Sequence, residues 1–255
     1  MKTGKLILSI FKWIFITILF LILFLVILLS LDSDYYEINL SEIEKSELPI
    51  VLDYKPVDDD MLFDSLLKVY GKNKVLAEGF EIQCLLALSH FPELKDAKID
   101  FLVEPAFLPL SSRPDPKSIL FPWIDRKYLV VISNKSTDYF EPILLHHVPF
   151  NSQVGIIGHE LAHTLYYLDK NAFSIAQIAL NYQFDNQYRI RFERSADKLA
   201  IAHGLGHQLY DFAYFVRRAF GDSDKEIEEE KGGMYLSPNE IAAEMKKYRF
   251  YKEYP

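Results

Sequence analysis

Two histidines four residues apart, His159 and His163, enclose Glu160 in the run Gly-His-Glu-Leu-Ala-His-Thr, and further on Glu193 and Asp197 repeat the same interval. On a helix, positions four apart lie on one face a single turn from each other, so two imidazole nitrogens can be aimed at one cation. Glu160 then stands beside that cation without ligating it, where a carboxylate can take a proton from a metal-held water. The chemistry this spacing serves is metal-assisted hydrolysis.

The spacing is useful only if the segment is a helix. Asn151 or Ser152 is an acceptable N-cap, and Val154, Ile157, Leu161, Leu165 and Leu168 recur as a core-facing stripe. Gly155, Gly158 and Ala162 form a second stripe that permits another backbone to come close. The plainer alternative is a buried helix whose histidines satisfy each other or a backbone carbonyl. A second helix is expected from Gln187 to Ala202, stopped by Gly204, with Phe192, Ala196, Leu199 and His203 facing the core. Glu193 and Asp197 share its adjoining face, and two carboxylates one turn apart repel unless a cation partners them. Arg189 and Arg194 are one source of that charge. The sharper reading makes Glu193 the third metal ligand and Asp197 the acceptor for the far ring N–H of a ligand histidine, which fixes its tautomer.

At these residues the chain resembles the gluzincins, zinc peptidases whose signature is HExxH followed by ExxxD. The resemblance is carried by His159 to His163 and Glu193 to Asp197, with Ala196 and Ala200 in keeping with it. It implies a zincin-like domain, Zn2+ held by His159, His163 and Glu193, catalysis by Glu160 as base, and endopeptidase action on a peptide or protein substrate. The strand Lys127–Ser133 resembles the edge along which such enzymes pair the substrate main chain, a buried central strand being the alternative. A donor to the oxyanion is also required, and His203, His207, Tyr210 and Tyr214 follow the Glu193 helix as candidates. The competing function is a membrane-anchored binding protein with a non-catalytic zinc site. Glu160 argues against it, because ligation does not need that carboxylate.

The amino terminus carries the other strong signal. Lys2, Lys5 and Lys12 precede Trp13 to Leu31, a run apolar except for Thr17 and Ser30 and about 28 Å long as a helix. With no small-residue cleavage site, residues 1–31 are expected to be a cytoplasmic N-terminus and transmembrane anchor. Asp32, Asp34 and Glu37 open an acidic connector, 32–47, and charge asymmetry places the catalytic body, 48–255, on the outer side of the membrane. The net charge of −8 and the lack of a basic patch exclude nucleic acid as a partner. The single cysteine, Cys84, cannot form an internal disulfide.

The fold class expected is α+β: a helix-rich domain with a small sheet, preceded by one transmembrane helix. Helices are expected over 58–70, 73–91, 172–182 and 207–220 and from Ser237, whose Ser-Pro-Asn-Glu run is a capping box with proline at the first helical position. Strands are expected at Lys98–Val103 and Lys127–Ser133. Between them Pro105, Pro109, Pro114, Pro116 and Pro122 predict an irregular loop, with Phe121 and Trp123 as rim candidates for a cleft. The acidic run 222–230 reads as a solvated connection.

Overall fold

The computed structural model describes residues 2–30, 50–56, 60–121, 123–229 and 233–252. The acidic connector 32–47 and Pro122 lie outside the described residues. Among the described residues a hydrophobic core gathers side chains from Ala77 to Tyr251. The fold is α+β, helix-rich with one four-stranded mixed sheet.

The expected membrane anchor is corrected. Lys2–Ser30 is a helix, but no helix among the described residues is long and apolar enough to cross a membrane. The single-pass topology and the outer-side location inferred from it fall with the anchor.

The sheet takes the order β1-β2-β4-β3, with β1 (Lys74–Val75), β2 (Lys98–Glu104), β3 (Leu110–Pro114) and β4 (Lys127–Ser133). β1, β2 and β4 are parallel, and β3 runs antiparallel to β4 with Leu110 opposite Ile132. The β-branched run of β4 is buried because β2 and β3 flank it, so β4 is central and the expected substrate edge is misplaced. The edge beside β4 is β3, inside the stretch expected to be irregular. Its prolines fall where strands and helices tolerate them: Pro114 ends the strand, and Pro116 opens the helix Pro116–Leu120 behind an Asp115 cap.

Three more expectations shift. The helix expected over 73–91 is cut to Glu81–Ser89, because Asn73 and Gly79 adopt positive φ of 60° and 81° and Lys74–Val75 joins the sheet. Part of the acidic run 222–230 is helical, Asp224–Glu229, where Ser223 caps through Glu226. The helix bearing the two histidines runs Phe150–Tyr167 and starts behind Pro149 with no side-chain cap. Asn151 is instead buried inside its first turn, accepting from Tyr54 N at 2.8 Å and donating to Asp211 at 2.6 Å.

That helix passes through the middle of the core, with Val154, Ile157 and Leu161 inaccessible to solvent. Its small-residue stripe lets the helix Gly206–Ala219 press directly on it. A Cβ on Gly155 would meet the backbone of Gln208 at 2.5 Å, and one on Gly158 would meet Leu205 at 2.1 Å. The helix bearing the two acids, Asn186–Ala200, is capped by Asp185 and ends in a π turn over Ile201–Leu205, where Gly204 takes φ 88°. This turn brings the chain back against the histidine helix.

Candidate metal centre

His159 and His163 point from one helix and Glu193 from the other to a common point. The Nε2 atoms of the two histidines are 3.1 Å apart, and Glu193 Oε2 is 3.1 Å from His159 Nε2 and 3.2 Å from His163 Nε2. Tetrahedral ligands about 2.0 to 2.1 Å from a zinc ion lie roughly 3.3 Å from one another, so the donors stand at coordination spacing. All three residues are buried.

The protonation pattern supports the same reading. Asp197 Oδ1 lies 2.8 Å from His159 Nδ1 and accepts its proton, which leaves a lone pair on His159 Nε2. That lone pair faces a second imidazole nitrogen and a carboxylate oxygen, an arrangement that is repulsive without a positive charge among them. Without a metal the same two acids would instead draw a proton to His159, so positive charge is favoured here either way. Burial opposes charge on His159, but hydrogen bonds and attraction from Asp197 and Glu193 override it and hold the imidazolium well above its usual range. Burial likewise opposes charge on Glu193, yet His163 and His159 drive its carboxyl far below the usual carboxylate range. The surroundings are built to hold a cation.

The surface alternatives for the acid pair do not apply. Arg194 turns away to a two-pronged pair with Glu240, 2.6 and 3.2 Å, and Arg189 donates to Asn186. Glu193 Oε1 accepts from the Tyr182 hydroxyl at 2.5 Å, and Asp197 Oδ2 from Leu236 N at 2.8 Å. Phe192 stacks on His163 with ring centroids 4.7 Å apart, fixing that imidazole from behind.

Glu160 directly follows His159 on the same helix. It is buried, its Oε2 has no hydrogen-bond partner, and the Ser112 backbone of β3 faces it. Burial raises its carboxyl above the usual range, only partly offset by His159 and His163, which suits a proton acceptor. Ser112 Oγ and Thr164 Oγ1, 2.8 Å apart, fasten β3 to the histidine helix at this level.

A cavity of about 420 Å3 opens beside the centre, with His159, Glu160 and Asp197 in its wall. The rest is mostly apolar, contributed by β3 and its approach (Leu108, Leu110), by Phe140 and Ile143, and by Phe212 and Val216.

The oxyanion candidates taken from the sequence are not brought to this wall. His203 is buried elsewhere, stacked on Phe91 and bonded to Leu199 O and Glu93. His207 packs on Tyr251, and Tyr214 bonds Asp224. Neither these nor Tyr210 lines the cavity. Phe121 and Trp123 pack on each other away from it, Trp123 being 79% exposed. Two residues that sequence reasoning missed take their place. Tyr182 buttresses Glu193, and Tyr235 lies in the cavity wall with its ring 5.8 Å from that of His159. Local desolvation, then the negative charges of Glu193, Glu160 and Asp197, hold the Tyr235 phenol well above its usual range, although the side chain stays 47% exposed. Exposure and shift lead to one conclusion, a protonated donor at neutral pH. Neither tyrosine has a local sequence signal, since both reach the site through tertiary packing.

No protein-family model, curated protein or solved structure matches the chain. The resemblance to gluzincins rests on these residues and their geometry.

Proposed function

We propose that this protein is a zinc-dependent endopeptidase of gluzincin type. The observation that carries the reading is the convergence of His159, His163 and Glu193 at 3.1 to 3.2 Å, with Asp197 behind His159 and an unpartnered Glu160 oxygen beside them. Two imidazoles and a carboxylate are a donor set suited to a catalytic zinc, and zinc held there supplies a Lewis acid that acidifies water and polarises a carbonyl.

The chain's own residues do the rest. Asp197 fixes the His159 tautomer and, through Leu236 N, anchors the loop carrying Tyr235. The antiparallel edge β3 offers main-chain groups to an extended peptide, holding the scissile bond over Glu160 with little dependence on sequence. The apolar cavity takes a neighbouring side chain. Glu160 removes a proton from the attacking water and returns it to the leaving amine as the C–N bond breaks. Tyr235 would donate a hydrogen bond from its hydroxyl to the developing oxyanion, keeping its proton.

The test is cleavage of an unstructured protein by the zinc-loaded chain, with Glu160→Gln alongside. The amide keeps size and hydrogen bonding but accepts no proton, so turnover is expected to fall at least about a hundredfold at unchanged zinc content. Retained activity in Glu160→Gln would place the base elsewhere. Zinc binding without cleavage by the wild type would leave a metal-binding protein that is not an enzyme.

A further inference from the structure

A second group of the same three residue types lies outside the buried centre. Glu141, His146 and His147 are exposed, and one ligand atom from each lies within 4.8 Å of the others. The imidazole centroids are 4.0 Å apart, and His147 Nε2 is 3.5 Å from Glu141 Oε1. We propose that these residues form a surface site for a divalent transition-metal ion such as Zn2+, separate from the centre at His159.

The backbone that carries the donors is fixed although their tips are free. Glu141–Ile143 and Leu145–His147 are consecutive single 3-10 turns, and between and after the donors Ile143, Leu144, Leu145 and Val148 are buried. Each turn closes on itself, with Leu144 N bonding Glu141 O at 3.3 Å and His147 N bonding Leu144 O at 2.8 Å. From the histidine helix, Gln153 Nε2 donates to Leu145 O and Val148 O, both at 2.9 Å, and clamps the second turn on either side of the histidines. The donors therefore start from rigid positions, and only side-chain rotation is needed to bring atoms already within 4.8 Å to the roughly 3.3 Å spacing of ligands around one ion. Exposed side chains make that rotation at little cost.

Two imidazoles with one carboxylate suit zinc, copper or nickel over calcium or magnesium, which take oxygen donors. Solvent completes the coordination. Of the chain's seven histidines, His146 and His147 are the exposed ones, and Cys84 is buried, so competing surface donors are few. The site sits on the outside of the cavity wall, since Phe140 and Ile143 of the same segment line the cavity from within.

Zinc stoichiometry of the full chain tests this, using chelator-stripped protein titrated calorimetrically with Zn2+. Wild type is expected to bind two equivalents, His146→Ala/His147→Ala one, and His163→Ala the surface equivalent alone. The site is overturned if the double variant binds as many equivalents as wild type, or if His163→Ala binds none. Failure of the buried centre reads differently, as one equivalent in wild type that disappears in the double variant. Because His146 and His147 are exposed, circular dichroism of the double variant should match wild type, so a lost equivalent is not lost fold.

Discussion

His159, His163 and Glu193 stand on two helices inside the core, whereas Glu141, His146 and His147 present the same donors from two short turns at the surface. In the first trio each side chain is held from behind: His159 by Asp197, His163 by the Phe192 ring, Glu193 by the Tyr182 hydroxyl. In the second only the backbone is held. A buried carboxylate facing two imidazole nitrogens must be matched by positive charge, and here His159 and Glu193 are shifted strongly in opposite directions. At the surface, water screens the same groups. Ligand identity thus permits a metal site, while burial decides whether the fold depends on one.

The largest effect should come from breaking the buried trio. Glu193→Gln removes the anionic donor and leaves two imidazoles, which rarely retain a catalytic ion, so zinc content by atomic spectroscopy should drop by one equivalent, to that of the surface trio, and peptidase activity should drop to near zero. Asp197→Asn is milder. It leaves the three donors in place but loosens the His159 tautomer and the contact to Leu236 N, with an expected loss of roughly 10 to 100-fold in zinc affinity or turnover. The ligand roles assigned to the two acids would be exchanged if Asp197→Asn lost zinc outright while Glu193→Gln kept it.

How much of this was legible in the sequence differs between the two helices and their surroundings. The interval of four fixes which side chains share a helix face, so His159 with His163 and Glu193 with Asp197 followed from periodicity. So did the close approach at Gly155 and Gly158, since only a missing Cβ allows Gln208 and Leu205 so near. The strand β3 was not legible, because Pro109 and Pro116 flank it closely and Pro114 ends it. Tyr182 and Tyr235 were not legible either. One approaches from a neighbouring helix and the other from a loop tied down by Asp197, and no spacing in the chain encodes such contacts. His203 and His207 lay in the right stretch of sequence, but the π turn at Gly204 directs them elsewhere. The apolar amino-terminal run was read as a membrane span from hydropathy alone, and no helix among the described residues is long and apolar enough to be one.

A buried histidine outside either trio sharpens the comparison. His90 donates from Nδ1 to His203 O at 2.7 Å, so its Nε2 accepts from the Tyr54 hydroxyl at 2.9 Å, and burial lowers its pKa from 6.5 to about 4. The folded state holds it neutral. Between pH 6.5 and 4 the unfolded chain therefore binds the extra proton, and stability falls as pH falls through that window. The difference in unfolding free energy between wild type and His90→Asn, which keeps a donor but cannot titrate, should change by on the order of 2 kcal/mol from pH 7 to pH 5. Denaturant titrations at the two pH values measure it, and a constant difference would mean that His90 titrates in the fold as it does in the unfolded chain.

The smallest expected effect belongs to the surface trio. His146 and His147 point to solvent from turns whose stability lies in Leu144, Leu145, Val148 and the Gln153 clamp, none of which is altered when the imidazoles are removed. In metal-free protein, His146→Ala/His147→Ala should shift the unfolding free energy by no more than about 0.5 kcal/mol, the usual range for exposed substitutions. The pair between His147 and Glu141 does not alter that expectation, because both side chains are about half exposed, at 46% and 54%, and such pairs contribute little in water. With excess Zn2+ present, wild type should gain stability over the double variant in proportion to zinc binding at the surface, because a ligand that binds only the folded chain shifts the unfolding equilibrium. Equal midpoints with and without Zn2+ in the two proteins would leave the exposed trio as ordinary surface. A large penalty in the metal-free double variant would show that these histidines support the fold, and the contrast between a buried trio the core depends on and an exposed trio it does not would be lost.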